Sequence, residues 1–257
     1  PNGSGTGKVM SEQQVTDIAK QYSIPAWTIA GTLYGQRAIV LAARREIKRL
    51  SKQLRCKILF SNGAIISFAK MLFRILPSHV FVKPRSMLAS LEDGIAIMKG
   101  YPTQMALPLA FWQNADVKAD KKRLLNPALD GCGLLWYAPL VPMRADQMLL
   151  YIDHVRSICP QYGIEPMITF TSLRHDTVDS TIPIVFNRRD KAAVVQAKAC
   201  LEHLVRDGLA QGWVPYRLNI AQQKTLLKSD AVFWSTVQAI KFAMDPDNII
   251  SPGRYNP

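Results

Sequence analysis

Cysteine and histidine are scarce in this sequence, and their spacing excludes two kinds of site. The four cysteines lie far apart without a Cys-x-x-Cys pair, and the four histidines show no metal-ligand spacing. Zinc sites and small disulfide scaffolds both need such residues at short, repeated intervals. We therefore expect no metal site and no disulfide framework. A reducing cytoplasm is the plain expectation, with the periplasm as the alternative.

Long apolar runs are missing as well. No uninterrupted apolar stretch reaches the roughly 18 residues that a membrane-spanning helix needs. The first residues are rich in glycine and serine, whereas a secretory signal peptide is basic and then apolar. The sequence predicts a protein with neither a signal peptide nor a membrane span.

Acidic residues are too few to balance the basic ones. The chain has 32 Lys and Arg against 19 Asp and Glu, which gives a formal net charge of +13. A surface this basic favours anionic partners: nucleic acid, acidic membranes, acidic proteins or small anions. The charge alone does not choose among them.

The first half of the sequence predicts part of a ferredoxin-like unit. A strand-like stretch runs from Ala26 to Tyr34, a basic amphipathic helix from Gln36 to about Leu54, and a short strand from Lys57 to Phe60. A helix from Ser11 to about Tyr22 precedes them, and an apolar helix from Asn62 to Leu76 follows. Residues 77–130 are irregular and contain several prolines, which predicts an insertion with one helix near Ser86 to Met98.

The second half repeats this order of elements. Periodicity and turn residues predict a strand, helix, strand, strand, helix and strand, over Gly133 to Leu140, Ala145 to Tyr162, Pro166 to Leu173, Ser180 to Asn187, Asp190 to Gln211 and Trp213 to Leu218. A last amphipathic helix, Ser229 to Met244, is expected to bury one face. We predict an α+β fold whose two ferredoxin-like halves form one antiparallel sheet, with helices packed on one face.

Four stretches carry a family resemblance: GWVPYR at 212–217, DPDNIISPGR at 245–254, GCGLLWYAP at 131–139 and IVFNRRD at 184–190. Together they resemble the C-terminal half of the vanillyl-alcohol oxidase and 4-cresol dehydrogenase (p-cresol methylhydroxylase) flavoproteins. The resemblance implies that residues 1–257 form an FAD-linked oxidase C-terminal domain, which is the substrate-binding cap. The FAD-binding domain that precedes the cap in this family is then absent from the chain, and we expect a fragment or a separate subunit.

The resemblance also implies an activity. Family members oxidise para-substituted phenols such as 4-cresol, 4-alkylphenols, eugenol or vanillyl alcohol. They hold the substrate as a phenolate and transfer a hydride to FAD, which leaves a quinone methide. We expect activity only when the chain is joined to its FAD-binding domain, and an inactive protein otherwise. The expected partners are a phenolic substrate and that domain, and the family also allows a cytochrome c electron acceptor and a homodimer.

Three residues are expected to bind the phenolate. Tyr216 and Arg217 match the family's phenolate-binding pair, and Arg254 matches an arginine that faces the phenolate or the flavin. A phenol ionises near neutral pH only if its pKa falls by several units, which nearby cations and strong donors can achieve. Arginine stays charged and presents a planar fork of donors, so these three side chains suit one small anion.

The remaining predicted site residues are Trp136, Thr169, Ser180 and Asp179, and two of them have a second interpretation. Trp136 matches an aromatic position that lines the pocket, or it is a core residue. Thr169 and Ser180 are expected near the substrate. Asp179 is either a general base for the quinone-methide step or a turn residue between two strands.

The flavin is expected to bind without a covalent bond. Leu134 stands where the oxidase branch carries a flavin-linking histidine, and the linking tyrosine of the dehydrogenase branch falls near Asn126. Leu134 and Arg254 are then the expected contacts to the cofactor.

A noncatalytic role is the alternative. The charge of +13 suits a basic module that binds an acidic partner or nucleic acid. Its basic runs lack interleaved aromatic residues and any known motif spacing, and the enzymatic interpretation needs no nucleic-acid partner.

Overall fold

The computed structural model describes residues 9–54, 56–75, 82–112, 114, 117–120, 122–220, 222–223 and 231–254. The chain divides into two compact units, which we call the N-terminal unit (Met10–Pro108) and the C-terminal unit (from Leu109 onward). The boundary lies inside the stretch that the sequence predicts as an irregular insertion. No helix among the described residues is both long enough and apolar enough to cross a membrane.

The N-terminal unit is helical. Its helices are α1 (Glu12–Tyr22), α2 (Arg37–Gln53), α3 (Gly63–Ile75) and α4 (Val82–Met98). The predicted capping box begins α1, because the Ser11 hydroxyl accepts from the Gln14 amide while the Gln14 side chain accepts from the Ser11 amide. Helices α3 and α4 pack together, and Lys70 pairs with Glu92 at 2.7 Å.

The two strands predicted in this unit are not formed. Residues 26–34 and 57–60 are irregular backbone, so the first ferredoxin-like half is absent from the described structure. A strand is stable only when its face is covered and its edges are paired. Here Ile29 is 97% exposed and Tyr34 70% exposed, so the described residues leave these apolar side chains uncovered. This part of the fold prediction was wrong.

The C-terminal unit contains the antiparallel sheet. Its elements are α5 (Pro127–Asp130), β1 (Cys132–Tyr137), β2 (Leu140–Pro142), α6 (Ala145–Ile158), β3 (Thr169–Ser172), β4 (Thr177–Asn187), α7 (Lys191–Ala210) and α8 (Ala231–Met244). Short 3-10 helices occupy Leu107–Phe111 and Cys159–Tyr162. Strands β1 and β2 pair in one continuous register with one edge of β4, and β3 pairs with the other edge.

Helices α6 and α7 cover one face of this sheet. Apolar side chains from both helices and from β4 meet there in one buried core, which includes Val155, Leu204, Ile182 and Ile184. Gly208 of α7 allows the helix to approach the sheet, because a Cβ atom at this position would lie 2.1 Å from the Tyr137 hydroxyl. The α+β class, the antiparallel sheet and the helices on one face are therefore confirmed.

Helix α8 differs from its prediction. Its apolar side chains were expected to be buried, yet Val232 is 79% exposed and Met244 is 81% exposed. Among the described elements none packs against α8. The apolar periodicity predicted the helix correctly, but Val232, Phe233, Ile240 and Met244 are each more than half exposed.

Candidate functional site

The sheet has a second face, opposite α6 and α7, which we call the open face. Residues 213–216 extend it by pairing with the free edge of β1 and β2, since the Leu140 amide donates to the Val214 carbonyl at 2.9 Å and the Tyr216 amide to Ala138 at 3.1 Å. Side chains alternate between faces along a strand. Trp213 and Pro215 are buried, whereas Val214 and Tyr216 are exposed, so the latter two lie on the open face.

The pairing register defines which side chains are neighbours on the open face, because directly paired residues share a face. One row across the four strands consists of Tyr216, Ala138, Thr181 and Thr169. The adjacent row consists of Val214, Leu140, Asp179 and Thr171. The sheet therefore places Tyr216, Asp179 and Thr169 on one surface, although they lie on three different strands.

Arg217 links the two rows. Its guanidinium carbon lies 5.3 Å from the centre of the Tyr216 ring, which is a cation–π arrangement. The same guanidinium lowers the pKa of Asp179 and so lies within electrostatic reach of that carboxylate. The open face thus carries a tyrosine ring in contact with a guanidinium, and that guanidinium acts electrostatically on a carboxyl of the adjacent row.

Asp179 is an unusual residue for the middle of a strand. Its Oδ1 atom is buried and has no hydrogen-bond partner among the described residues. Burial raises the pKa of this carboxyl, while Arg217 acts in the opposite direction. Since β4 begins at Thr177, Asp179 lies inside the strand and not in a turn, so the turn interpretation was wrong. A carboxyl with a raised pKa and a free oxygen can accept a proton from a ligand.

Trp136 and Leu134 also lie on the open face. Trp136 lies one residue before Tyr137 in β1 and pairs with Pro183, and Leu134 lies three residues before it and pairs with Val185. Trp136 is 49% exposed. Trp136 is therefore not a core residue, and that alternative was wrong. Trp136 and Leu134 give the open face an apolar surface on the side of the Tyr216 row that lies away from Asp179.

Two predicted site residues lie elsewhere. Ser180 follows Asp179 and so points to the helix side of β4, where it is fully buried. Arg254 is exposed in the turn after α8, where its amide donates to the Ser251 carbonyl at 3.1 Å. That turn is held by Asp245, whose carboxylate accepts from the amides of Ile249 and Ile250. The described contacts bring neither Ser180 nor Arg254 to Tyr216.

Leu140, Thr171 and Thr181 lie in the two rows of the open face but were not predicted as members of the site. Thr181 could have been found from the two-residue period that starts at Asp179. Leu140 and Thr171 depend on the register of neighbouring strands, which a single sequence does not define. No group of three or more potential metal-ligating side chains occurs within the described ranges.

No protein-family model matches the chain. It is 24% identical over 248 residues to the 1'-carboxy-chondrochloren decarboxylase of Chondromyces crocatus, which covers 96% of this chain and 45% of that protein. It is 27% identical over 125 residues to the flavoprotein subunit of 4-cresol dehydrogenase (hydroxylating) of Pseudomonas putida, which covers 48% of this chain and 24% of that protein.

Solved structures show the same relationship. Substrate-bound p-cresol methylhydroxylase matches 97% of this chain with a TM-score of 0.69 at 19% identity. The resemblance to the 4-cresol dehydrogenase flavoproteins is confirmed. The isoeugenol complex of 4-ethylphenol oxidase from Gulosibacter chungangensis matches 97% of the chain with a TM-score of 0.67 at 16% identity. The chain spans 41% and 42% of these two structures, so its fold is that of less than half of a 4-cresol dehydrogenase-like flavoprotein.

Proposed function

We propose that this chain is the substrate-binding cap of a flavin-dependent oxidoreductase that acts on para-substituted phenols. The observation that carries the proposal is that Tyr216 and Asp179 share the open face of the sheet, with Arg217 over the Tyr216 ring and within electrostatic reach of Asp179. The similarity to two phenol-oxidising flavoproteins, one of 4-cresol and one of 4-ethylphenol, supports it.

Tyr216 and Arg217 would hold the substrate as a phenolate. A guanidinium favours the charged form of a neighbouring phenol, and the Tyr216 hydroxyl can donate a hydrogen bond to the same oxygen. The contact of Arg217 with the Tyr216 ring keeps the guanidinium next to that side chain. Arg254 remains a predicted third group, which must come from its turn to the open face when the rest of the protein is present.

Asp179 would accept the proton that is released when water adds to the quinone methide. Loss of a hydride from the para-alkyl carbon of a phenolate leaves a quinone methide, and water then adds to that carbon. A carboxylate with a raised pKa accepts the proton that this water loses. Thr169 and Thr171, which share the open face, offer hydroxyls to position that water.

The apolar part of the open face suits a flat aromatic ring. Trp136 and Leu134 form an uncharged surface on the other side of Tyr216 from Asp179, and apolar surface of this kind is usually covered by a ligand or another domain. Leu134 and Trp136 would contact FAD or substrate from this side, without a covalent bond through Leu134. Bound FAD supplies the hydride acceptor, and most of its contacts would come from the FAD-binding domain.

The test uses the longer protein that contains this chain, or the chain co-expressed with an FAD-binding domain. We expect 4-alkylphenols to reduce the flavin, and Tyr216→Phe and Arg217→Ala each to lower turnover about 100-fold or more, because each removes a group that stabilises developing charge. Tyr34→Phe and Arg144→Ala are controls of the same type, since Tyr34 is exposed and the exposed Arg144 pairs with Asp146. Near wild-type turnover in the first pair would exclude the assignment.

Decarboxylation is the second candidate reaction. The relative that matches 96% of this chain is a decarboxylase by name. A phenol with a carboxylate on its para side chain could bind to the same Tyr216 and Arg217 pair and release carbon dioxide. Comparing carbon dioxide release from such a phenol with oxidation of the plain 4-alkylphenol separates the two reactions. Salt-sensitive binding to DNA with no phenol turnover would instead favour the basic interaction module.

A further inference from the structure

Two cysteines lie in the core between the sheet and the helices that cover it. Cys159 ends α6 and begins the 3-10 helix Cys159–Tyr162, and Cys200 lies in the middle of α7. Both are 0% exposed, both belong to the same buried cluster, and both are free thiols in the structure. Their wide separation in the sequence gives no sign that they meet.

The two thiols are in contact. A hydrogen bond with Cys200 is the largest cause of the raised pKa of Cys159, ahead of burial. A thiol is only a weak donor and a weak acceptor, so such a bond forms only when the two sulfur atoms approach closely. The contact is therefore between the thiols themselves, and not only between the helices that carry them.

A second contact, one helical turn away, holds the same two elements together. The Tyr162 hydroxyl lies 3.0 Å from Nδ1 of His203, and the two ring centres are 5.8 Å apart. Nε2 of His203 lies 3.0 Å from Asp207, which helps to orient the imidazole. Tyr162 follows Cys159 by three residues and His203 follows Cys200 by three residues, so each pair lies on one side of its helix. The sides that carry the cysteines are thus held together independently of the thiols.

Burial limits the chemistry of this pair. Catalytic and redox-sensing cysteines are partly exposed and have a lowered pKa, whereas the pKa of Cys159 is raised by its bond to Cys200 and by burial. A structural zinc site needs four ligands, and the described part of the chain contains no group of three or more potential ligands. Two thiols in contact can still be joined covalently, because a disulfide needs only two cysteines whose Cα and Cβ atoms are close enough.

We propose that Cys159 and Cys200 form a disulfide bond when the chain folds in the presence of a disulfide oxidant, such as oxidised glutathione or a thiol-oxidising protein. One cysteine thiolate attacks the oxidant, whose S–S bond breaks and releases one thiol. The second cysteine thiolate then attacks the mixed disulfide and releases a second thiol. The two cysteines lose two protons and two electrons, and the oxidant is reduced to two thiols. This inference is independent of the proposed function.

The bond links two elements that cover the same face of the sheet. It joins the end of α6 to α7 and closes a long loop that contains β3 and β4. A cross-link of this kind stabilises a protein mainly by restricting the unfolded chain. Because both sulfur atoms are buried, a thiol reaches the bond only when the core opens. The link should therefore form during folding and resist reduction afterwards.

Refolding the chain in glutathione buffers tests the link directly. After refolding with oxidised and reduced glutathione, free thiols are blocked with a maleimide under denaturing conditions, and linked peptides are identified by mass spectrometry. We expect two of the four cysteines to escape blocking, as one linked pair of Cys159 and Cys200. With reduced glutathione alone all four should be blocked. Four blocked cysteines in the oxidising buffer, or links to Cys56 or Cys132 in comparable amounts, would overturn the proposal.

Two variants separate this link from accidental oxidation. Cys56→Ser removes the exposed cysteine, which is the one most open to mixed disulfides, and should leave the link between Cys159 and Cys200 unchanged. Cys200→Ala should abolish the link and leave Cys159 open to blocking. If Cys200→Ala does not fold, the comparison of the two buffers on the wild type still decides whether the link forms.

A stability measurement shows whether the bond fits the folded chain. The urea midpoint of the wild type should be higher after oxidising than after reducing refolding, and Cys200→Ala should show no such difference. Dithiothreitol should cleave the bond slowly without urea and rapidly above the urea midpoint, because only the opened core exposes the sulfur atoms. An equal or lower midpoint in the oxidised protein would mean that the bond strains the core, and the proposal would be rejected.

Discussion

The guanidinium of Arg217 lies over the ring of Tyr216, with 5.3 Å between its central carbon and the ring centre. Since Tyr216 and Arg217 are adjacent in sequence, alternation alone would send their side chains to opposite faces of an extended strand. The backbone leaves its pairing with β1 after Tyr216, and this allows Arg217 to turn back beside the ring. The charge then lies on the open face, where it acts on Asp179.

The first prediction concerns this charge. Arg217 lowers the pKa of Asp179 against the effect of burial, so Arg217→Gln should raise the pKa of Asp179 further. Carboxyl carbon NMR during a pH titration of the chain measures this value directly. Arg144→Gln is the matched control, because Arg144 pairs with Asp146 and should leave Asp179 unaffected. An Asp179 pKa that does not move in Arg217→Gln would place the guanidinium elsewhere.

The second prediction is that Asp179 lowers the free energy of unfolding at neutral pH. Its pKa in the folded state is raised by burial above its value in the unfolded chain, which is about 3.9. The folded state therefore keeps the Asp179 carboxyl protonated up to a higher pH than the unfolded chain does. This contribution to stability is present at low pH and lost as pH rises through the folded-state pKa. Asp179→Asn should raise the free energy of unfolding at pH 7, and the gain should shrink at low pH.

Asp153→Asn, on the exposed side of α6, is the control and should change stability little at either pH. In the flavin-containing protein the same Asp179→Asn change should reduce phenol turnover. A variant that is more stable and less active is the result expected of a functional residue in an unfavourable position. Lower stability at pH 7 would instead mean that the carboxylate has a structural role.

The sequence predicted the C-terminal unit better than the N-terminal unit, for a physical reason. Strand β4 and helix α7 bury their apolar side chains against each other, so the periodicity of each was sufficient to predict it. The stretch from Ala26 to Tyr34 has equally strong strand propensity, but the described residues provide nothing to pair with it or cover it. Propensity predicts a strand only where a neighbouring element stabilises it.

The site shows the same limit. Tyr216 and Arg217 could be named from the family resemblance, and the strand period places Asp179 and Ser180 on opposite faces. Ser180 was grouped with Asp179 because the family resemblance places both near the substrate side chain, but β4 begins at Thr177 and its alternation sends Ser180 to the other face. Arg254 was grouped with Tyr216 because α8 was expected to pack against the domain, and the described helix does not. Long-range placement of this kind depends on tertiary contacts that no local pattern records.

The third prediction concerns the approach of α7 to the sheet. An added Cβ at Gly208 would lie 2.1 Å from the Tyr137 hydroxyl, and Tyr137 is itself fully buried and cannot move aside. Gly208→Ala should therefore lower the free energy of unfolding by about 1–3 kcal/mol, as overpacking does. Gly94→Ala in α4 is the matched helical control, because nothing lies within 4 Å of its Cβ position. That change should stabilise by up to about 1 kcal/mol through helix propensity. Urea unfolding of both variants measures the contrast.

The fourth prediction is an acid-sensitive core. Burial lowers the pKa of His154 below its usual value, His203 acts in the same direction, and the Leu204 backbone and Asp207 oppose them. An unfolded histidine titrates near pH 6.5, so below that pH the unfolded chain takes up a proton that the folded chain refuses. Stability from neutral His154 is therefore present above about pH 6.5 and lost as pH falls toward the folded-state pKa.

His154→Asn keeps a donor for the Leu204 carbonyl but cannot titrate, so it should flatten the loss of stability between about pH 7 and pH 5. His175→Asn, at an exposed histidine outside the core, should leave the slope of the wild type unchanged. Urea midpoints at several pH values give both slopes. An imidazole whose pKa is lower in the folded state than in the unfolded chain must contribute to the loss of stability in acid. If wild type and His154→Asn have equal slopes, other groups cause that loss and this prediction is wrong.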